Sequence, residues 1–443
     1  MIRKLLGRVL RLPKRHGGGR VVIPQRRHGL HRDGIDSCAL KVTDRLHESG
    51  FEAYVVGGAV RDLLLGKHPK DFDVATNATP EEIHRLFRRS RIIGRRFRLV
   101  HVMFGDEIIE VSTFRGGGET VTDETGRVIR DNAWGNQEDD AKRRDFTVNA
   151  LFYDPAREEI IDFHGGVEDL KRKKLVMIGP PAQRYREDPV RMLRAVRLAA
   201  KLGLDIDGAT RKPIREHAKL LENVPAARLF DEMLKLLFSG QSWGALMQLR
   251  EEGLHHGFFP LLDSILANPQ GTQFLKLALE NTDARIRDDK PVSAGFLFAA
   301  LLWQEVLQNW ARRKARHEKP MPALFAAIDE VEAVQEEKLA IPRRYGTVMK
   351  EIWMIQPRFE QRTGAKPFRL LESPRFRAGY DFLCLRAASG ELDQELADWW
   401  TRFQSADMSQ REAMLVKDSP AGSGNKKRRR KRKPNGGNES GQE

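Results

Sequence analysis

The chain has 443 residues, with 77 Lys and Arg against 62 Asp and Glu, a formal charge of +15. That length is too great for one ordinary core and predicts two or three domains, and the cationic excess points to a polyanionic partner. The two cysteines, Cys38 and Cys384, lie far apart in no metal-ligand spacing, which argues against a disulfide framework or a zinc site and for a reducing compartment, the cytoplasm.

The first 16 residues, MIRKLLGRVLRLPKRH, are basic and weakly amphipathic and lack the apolar core of a secretory signal. They read as a solvated basic arm, with an organelle-targeting peptide or a membrane-surface helix as alternatives. Little periodic hydrophobicity precedes residue 37, so residues 1–36 are expected to form a flexible arm. From Cys38, Ala39, Leu40, Val42 and Leu46 fall at helical spacing, and residues 51–56 then read as a strand running into Gly57-Gly58. Strand character returns at 71–75, 100–104 and 108–113, with a helix at 81–87 after the Thr79-Pro80 start signal. Beyond Pro180 the pattern turns helical, at 189–202, 229–238, 294–306 and 380–388. Its longest apolar run, 296–303, is far shorter than the roughly 20 residues of a membrane span, so no stable membrane insertion is expected. After residue 405 hydrophobicity falls away, and an unbroken basic block predicts a disordered tail: Lys426, Lys427, Arg428, Arg429, Arg430, Lys431, Arg432 and Lys433.

Chemistry enters at DFD. Alternation along a strand projects Asp71 and Asp73 on one side and sends Phe72 into the core. A carboxylate pair, joined by substrate phosphates, suits Mg²⁺ in phosphoryl or nucleotidyl transfer. Isolated, DxD is more often a surface turn, and its weight comes from its neighbours. Just upstream, GGAVRDLLLG at 57–66 ends a strand on Gly57 and Gly58, where backbone amides can approach an anion, with Arg61 as a fixed positive charge. Glu110 lies in a second strand with Ile109 and Val111 on the opposite face, and is a candidate third metal ligand.

These residues resemble the class II tRNA nucleotidyltransferase and bacterial poly(A) polymerase family, which shares a GG-x-x-RD…DxD head. RRDFTVNAL at 143–151 is similar to the family's second motif, which implies ribose and triphosphate contacts for Arg144 and Asn149 and an acidic role beside the active site for Asp145. DFHGGVEDL at 162–170 resembles the hinge between head and neck. REDPVRMLRAVRLAA at 186–200 resembles the nucleotide-selecting helix, in which Glu187, Asp188 and Arg191 would face a base edge and Arg194 and Arg197 extend a basic stripe. IIGRRFRLVHVMFG at 92–105 is similar to the signature that separates poly(A) polymerases from their CCA-adding relatives, and gives Arg95, Arg96 and Arg98 as RNA contacts. The likeness continues in LLESPRFRAGYDFLCLRA at 370–387.

The resemblance implies an α+β protein: a polymerase-β-like mixed-sheet head at 37–179 and an all-helical remainder, made of a neck at 180–265 and an RNA-binding body at 266–405, with the tail from 406. It implies template-independent addition of AMP from ATP to RNA 3′ ends by a monomer using two Mg²⁺ ions. Asp71, Asp73 and Glu110 would hold the metal, and Asp145 would join them as a catalytic acid. Messenger RNAs, decay intermediates and small RNAs are the expected substrates, with RNA-decay proteins as candidate partners. The alternatives are a CCA-adding enzyme and an RNA-binding protein with a decayed head. No RRM, KH or zinc-knuckle pattern occurs, so specificity is expected to come from accessible 3′ ends.

Overall fold

The structure, a computed structural model, describes residues 19–94, 98–116, 121–122, 128–130, 134–259, 261–339 and 341–416. It divides between Thr347 and Val348 into two units. The first holds a sheet of eight strands: β1 Val21–Pro24, β2 Ala53–Val56, β3 Asp73–Thr76, β4 Ser90–Ile93, β5 Leu99–Phe104, β6 Glu107–Thr113, β7 Leu151–Asp154 and β8 Glu159–Asp162. Their spatial order is β1-β8-β7-β2-β3-β6-β5-β4. β3 and β6 are parallel and every other neighbouring pair is antiparallel.

Each face of the sheet is covered for a reason legible in its side chains. Helix α1, Ser37–Glu48, is capped by Asp36, which accepts from the Cys38 and Ala39 amides, and it buries Ala39, Val42 and Leu46. On the other face Tyr54, Phe114, Phe152 and Phe163 cluster with Ala141, which belongs to the helix Gln137–Arg143.

Two expectations are corrected here. Residues 19–36 are no arm: Val21 to Pro24 pair with Asp162 to Glu159, and the Arg32 guanidinium binds Asp44 at 2.6 Å. The apolar signal there is three residues long, VVI, too short to read as periodic. At HGG the chain does bend, with Gly165 at a φ of 79°. Asp162 accepts from the amides of His164, Gly165, Gly166 and Val167, and a Cβ on Gly166 would meet the Thr147 carbonyl oxygen at 2.2 Å, so the turn is filled and tightly packed. Finally, the tail does not start at 406, because a helix at Met408–Met414 opens on a capping box formed by Asp407 and Gln410.

The described chain after Gly179 is largely helical, as expected, the exception being the two-residue strand Asp205–Ile206, which pairs with Lys174–Leu175. Helix α2, Pro181–Glu187, and helix α3, Val190–Leu202, are separated at Asp188-Pro189, where the 186–200 segment had suggested one helix. Proline disfavours helical backbone in the residue before it, and Asp188 is extended (φ −149°, ψ 96°). Helix α4, Ala226–Leu237, packs against α3, and helix α5, Ala294–Ala315, buries Trp303 completely. In the second unit Phe359, Phe376, Tyr380, Trp399, Trp400 and Phe403 form one aromatic core, with the Trp400 indole donating to the Phe359 carbonyl at 2.8 Å. The expected head, the neck and residues 266–347 of the expected body all fall within the first unit.

Candidate active site

The site is built where β2 and β3 meet. β2 ends in Gly57, whose φ of 71° and ψ of −124° suit glycine, and the helix Gly58–Leu64 follows. A Cβ at Gly57 would lie 3.2 Å from the Arg144 guanidinium, so the turn and Arg144 are in close contact. Arg61, buried at 6% exposure, does not swing freely. It donates to Asp62 at 2.8 Å and to the Asn149 side-chain oxygen at 2.5 Å.

Antiparallel to β2, β3 begins at Asp73, opposite Val56, and parallel pairing sets Asp73 beside Glu110 of β6. Asp71 lies just before the strand, and Phe72 between them is half-buried rather than in the core. Asp73 as a residue is exposed, yet its carboxyl is crowded. Desolvation first, then the charges of Glu110 and Asp71, push its pKa up to about 6 against the pull of Arg144. This mutual repulsion is what a divalent cation would relieve, so the donor set fits one. The three carboxylates are nonetheless not gathered to ligand spacing: among the described residues that spacing occurs only at His255–His256–Asp263 and Asp36–Cys38–Glu107.

Asp145 is placed differently from these three. It is buried at 9% exposure and accepts from the Phe146 amide at 2.8 Å, the Asn149 amide group at 3.0 Å, and Arg194 at 2.5 and 2.8 Å. Burial works to raise its pKa, but Arg194, Asn149 and the Phe146 amide hold it below the ordinary carboxylate range. Asp145 thereby ties the head to α3. Asn149 bridges it to Arg61, giving one continuous chain: Asp62, Arg61, Asn149, Asp145, Arg194.

A cleft of about 640 Å³ opens between head and neck. Gly57, Gly58 and Asp73 form part of its wall, along with nine cationic and five acidic side chains, Asp73 being one of the five. Most of the cations are braced. Arg144 binds Asp140 at 3.0 Å and lies over the Phe152 ring, and Arg184 donates to the carbonyls of Arg143 and Arg144. Glu187 is clamped by Arg184 and Arg191 at 2.8 and 3.1 Å, and Asp188 by Arg228 of α4 at 3.1 Å. Arg191, Arg194, Asp188 and Asn149 line the cleft, whereas Glu187 supports it from behind its lining.

The RNA-contact set fares unevenly. Arg197 is half-buried, donates to Glu232 at 3.2 Å, and lines the cleft with Arg191 and Arg194. Arg98 pairs with Glu81. Arg95, Arg96 and the block from Lys426 to Lys433 lie outside the described residues.

Sequence reasoning missed several residues. His101, opposite Glu110 in the β5–β6 ladder, sits with Nε2 3.2 Å from the Glu110 carboxylate, and only the strand register reveals it. Asp140 and Arg144, four apart across the end of one helix, were a readable pair. Arg228 and Lys235 carry no local signal. Glu232 does carry one, being an acid among the buried Leu229, Phe230, Met233, Leu236 and Leu237 of α4.

Three family profiles match the chain: "Poly A polymerase head domain" at 53–176, "Probable RNA and SrmB- binding site of polymerase A" at 203–266, and "Polymerase A arginine-rich C-terminus" at 316–434. Poly(A) polymerase I of Salmonella typhi is 45% identical over 432 residues, spanning 93% of this chain and 92% of that one. A CCA-adding enzyme of Lactobacillus helveticus is 40% identical over 198 residues, but only 45% of this chain and 49% of that one. Among solved structures, a tRNA-processing enzyme in an apo form aligns with a TM-score of 0.60 at 21% identity, covering 86% of this chain and 97% of that one, which speaks to fold alone. The head-domain match and the near full-length likeness to a poly(A) polymerase place the protein among the nucleotidyltransferases. The chain belongs to the bacterial poly(A) polymerase family.

Proposed function

We infer that this enzyme adds AMP residues from ATP to RNA 3′ ends without a template. The observation that carries it is the head–neck cleft, whose nine cations over five acids open beside Asp73 and match a nucleoside triphosphate in size and charge. The Gly57 turn admits phosphate oxygens close to backbone, and Arg61 and Arg144, each fixed by acidic or amide partners, orient the triphosphate. Asp71, Asp73 and Glu110 are the ligands proposed for Mg²⁺, which when bound lowers the pKa of the 3′-hydroxyl and offsets charge on the leaving pyrophosphate. Arg191 and Asp188 at the cleft wall present donors and acceptors to the base, and their clamps on Glu187 and Arg228 hold them still without a nucleic-acid template. RNA 3′ ends are the acceptor; messenger RNAs, decay intermediates and small RNAs are the proposed sources, and RNA-decay proteins the proposed partners of a monomer acting in the cytoplasm. Among the described residues no helix is long and apolar enough to cross a membrane.

Adenylate addition is favoured over CCA addition by the extent of the likeness, which covers 93% of this chain for poly(A) polymerase I and 45% to 61% for three CCA-adding enzymes. Purified enzyme, Mg²⁺ and a generic RNA 3′ end, supplied with each nucleoside triphosphate separately, are expected to yield long tails with ATP alone. Short CCA additions confined to tRNA-like ends would overturn this. No addition with any triphosphate would favour an RNA-binding protein with a decayed head.

His101 should act through Glu110. Replacing it with Ala is expected to raise the Mg²⁺ concentration for half-maximal activity about tenfold, while kcat at saturating Mg²⁺ changes little, because a partner that orients a ligand governs metal affinity. An unchanged Mg²⁺ titration would remove His101 from the site.

A further inference from the structure

A second depression, about 590 Å³, lies on the α1 side of the sheet, away from the nucleotide cleft. Its walls come from α1, from the end of the helix Pro80–Leu86 and the residues after it, and from the end of β5. Four cations line it, Lys41, Arg45, Arg88 and Arg89, all exposed, and no acidic residue does. Apolar side chains floor it: Phe87, Val102, Met103 and Phe104, with the Lys41 ammonium 5.9 Å from the Phe104 ring centroid. Acids stand at its margins: Glu48 pairs with Arg45 at 3.5 Å, both groups well exposed, and Asp106 and Glu107 follow Gly105 at the hairpin tip, where the Glu107 carboxylate accepts from the Cys38 thiol.

Strand register fixes where this groove stands relative to the chemistry. Phe104 pairs with Glu107, three residues before Glu110 on the same strand, so the groove begins about 10 Å from the carboxylate end. It lies on the opposite face from the aromatic cluster, round the tip of the β5–β6 hairpin.

We propose that this groove carries the RNA strand a few nucleotides upstream of the reacting 3′ end. Cations without acids bind the backbone in a sequence-independent way, and half-buried Phe104 and Phe87 offer faces and edges for bases, the combination that single strands use. An acidic peptide would satisfy the charge but has no use for the aromatic floor. The proposal rests on the polymerase activity inferred above and extends it by assigning a primer path on the head, apart from the cleft that holds the nucleotide.

The test uses the full chain with Lys41, Arg45, Arg88 and Arg89 replaced together by Gln, and oligoadenylate primers of about three and about twelve nucleotides. The variant is expected to extend the short primer with wild-type kcat and KM, and to show a KM for the long primer raised about tenfold. The slope of log Kd against log salt for the long primer is expected to fall by about two. A circular dichroism melt verifies folding, and Arg88→Gln/Arg89→Gln, which leaves α1 intact, serves if the fourfold variant unfolds. Equal loss on both primers, or no loss on either, overturns the groove. So does unaltered RNA binding accompanied by lost capture of a poly-glutamate peptide, which would make it a protein-docking surface. If the wild-type enzyme added no nucleotide to either primer, the polymerase inference itself would fail, whatever the binding data.

Discussion

Asp73→Asn is expected to abolish AMP addition, lowering kcat by about a thousandfold or more, equivalent to about 4 kcal/mol of transition-state stabilisation. The same change should make the metal-free protein slightly more stable. The pKa of Asp73 is raised to about 6 by desolvation, Glu110 and Asp71, from an ordinary value of 3.8. A raised carboxyl favours folding only while protonated: its contribution is fully present below the unfolded pKa and is lost as pH rises through about 6. Above that pH the ionised group is a burden, which Asn removes. Because the residue is exposed, solvent screens much of it, and the expected gain in melting temperature at pH 8 in chelator is about 1 °C, vanishing near pH 4. Mg²⁺ should then stabilise the wild type more than the variant. Retained turnover, or a variant less stable than wild type at pH 8 in chelator, would sink the assignment.

Arg194→Met has the largest expected effect on stability. It leaves the Asp145 carboxylate buried at 9% exposure with its strongest partner gone. Breaking a buried pair from one side costs about 3 kcal/mol when, as here, one member reaches solvent, or roughly 4 °C in melting temperature for a unit of this size. Asp145→Asn in the same chain should recover most of that loss, because the uncompensated charge is then absent. Since Arg194 also lines the cleft, the double variant should still show a raised KM for ATP. A double variant as unstable as the single would show that the pair is not what holds α3 to the head. The depressed pKa of Asp145 adds a pH signature: its stabilisation is present above the unfolded carboxylate pKa and is lost as pH falls through the lower folded value.

What could be read from the sequence divides along a physical line. Local patterns revealed local facts: the glycine turn at 57–58, strand alternation around Asp73 and Glu110, and the helical second half all depend on residues a few places apart. The partners of the charged side chains do not. Nothing near Asp145 in the chain announces Arg194, 49 residues on, and nothing near Asp188 announces Arg228, 40 residues on. Hence Arg194, Arg197 and Glu187 look in sequence like free recognition groups, whereas in the fold each is held by an opposite charge. The His101–Glu110 contact shows the same limit, since a sheet register cannot be deduced from one strand alone. The Asp188-Pro189 break was readable, because proline restricts its predecessor wherever it occurs.

The pairing of β1 with β8 has a consequence for how the head is made. Val21 finds its partner at Asp162, 141 residues later in synthesis. At roughly 5–20 residues per second, about seven to twenty-eight seconds separate the appearance of the two strands on a ribosome. The carboxylate strands β3 and β6 can align well before that, but Asn149 and Asp145, which hold Arg61 and Arg194, emerge only near the end of the interval. The cations at 191–235 that complete the cleft are made later still, after the first strand has found its partner, so the anion-binding wall is finished last.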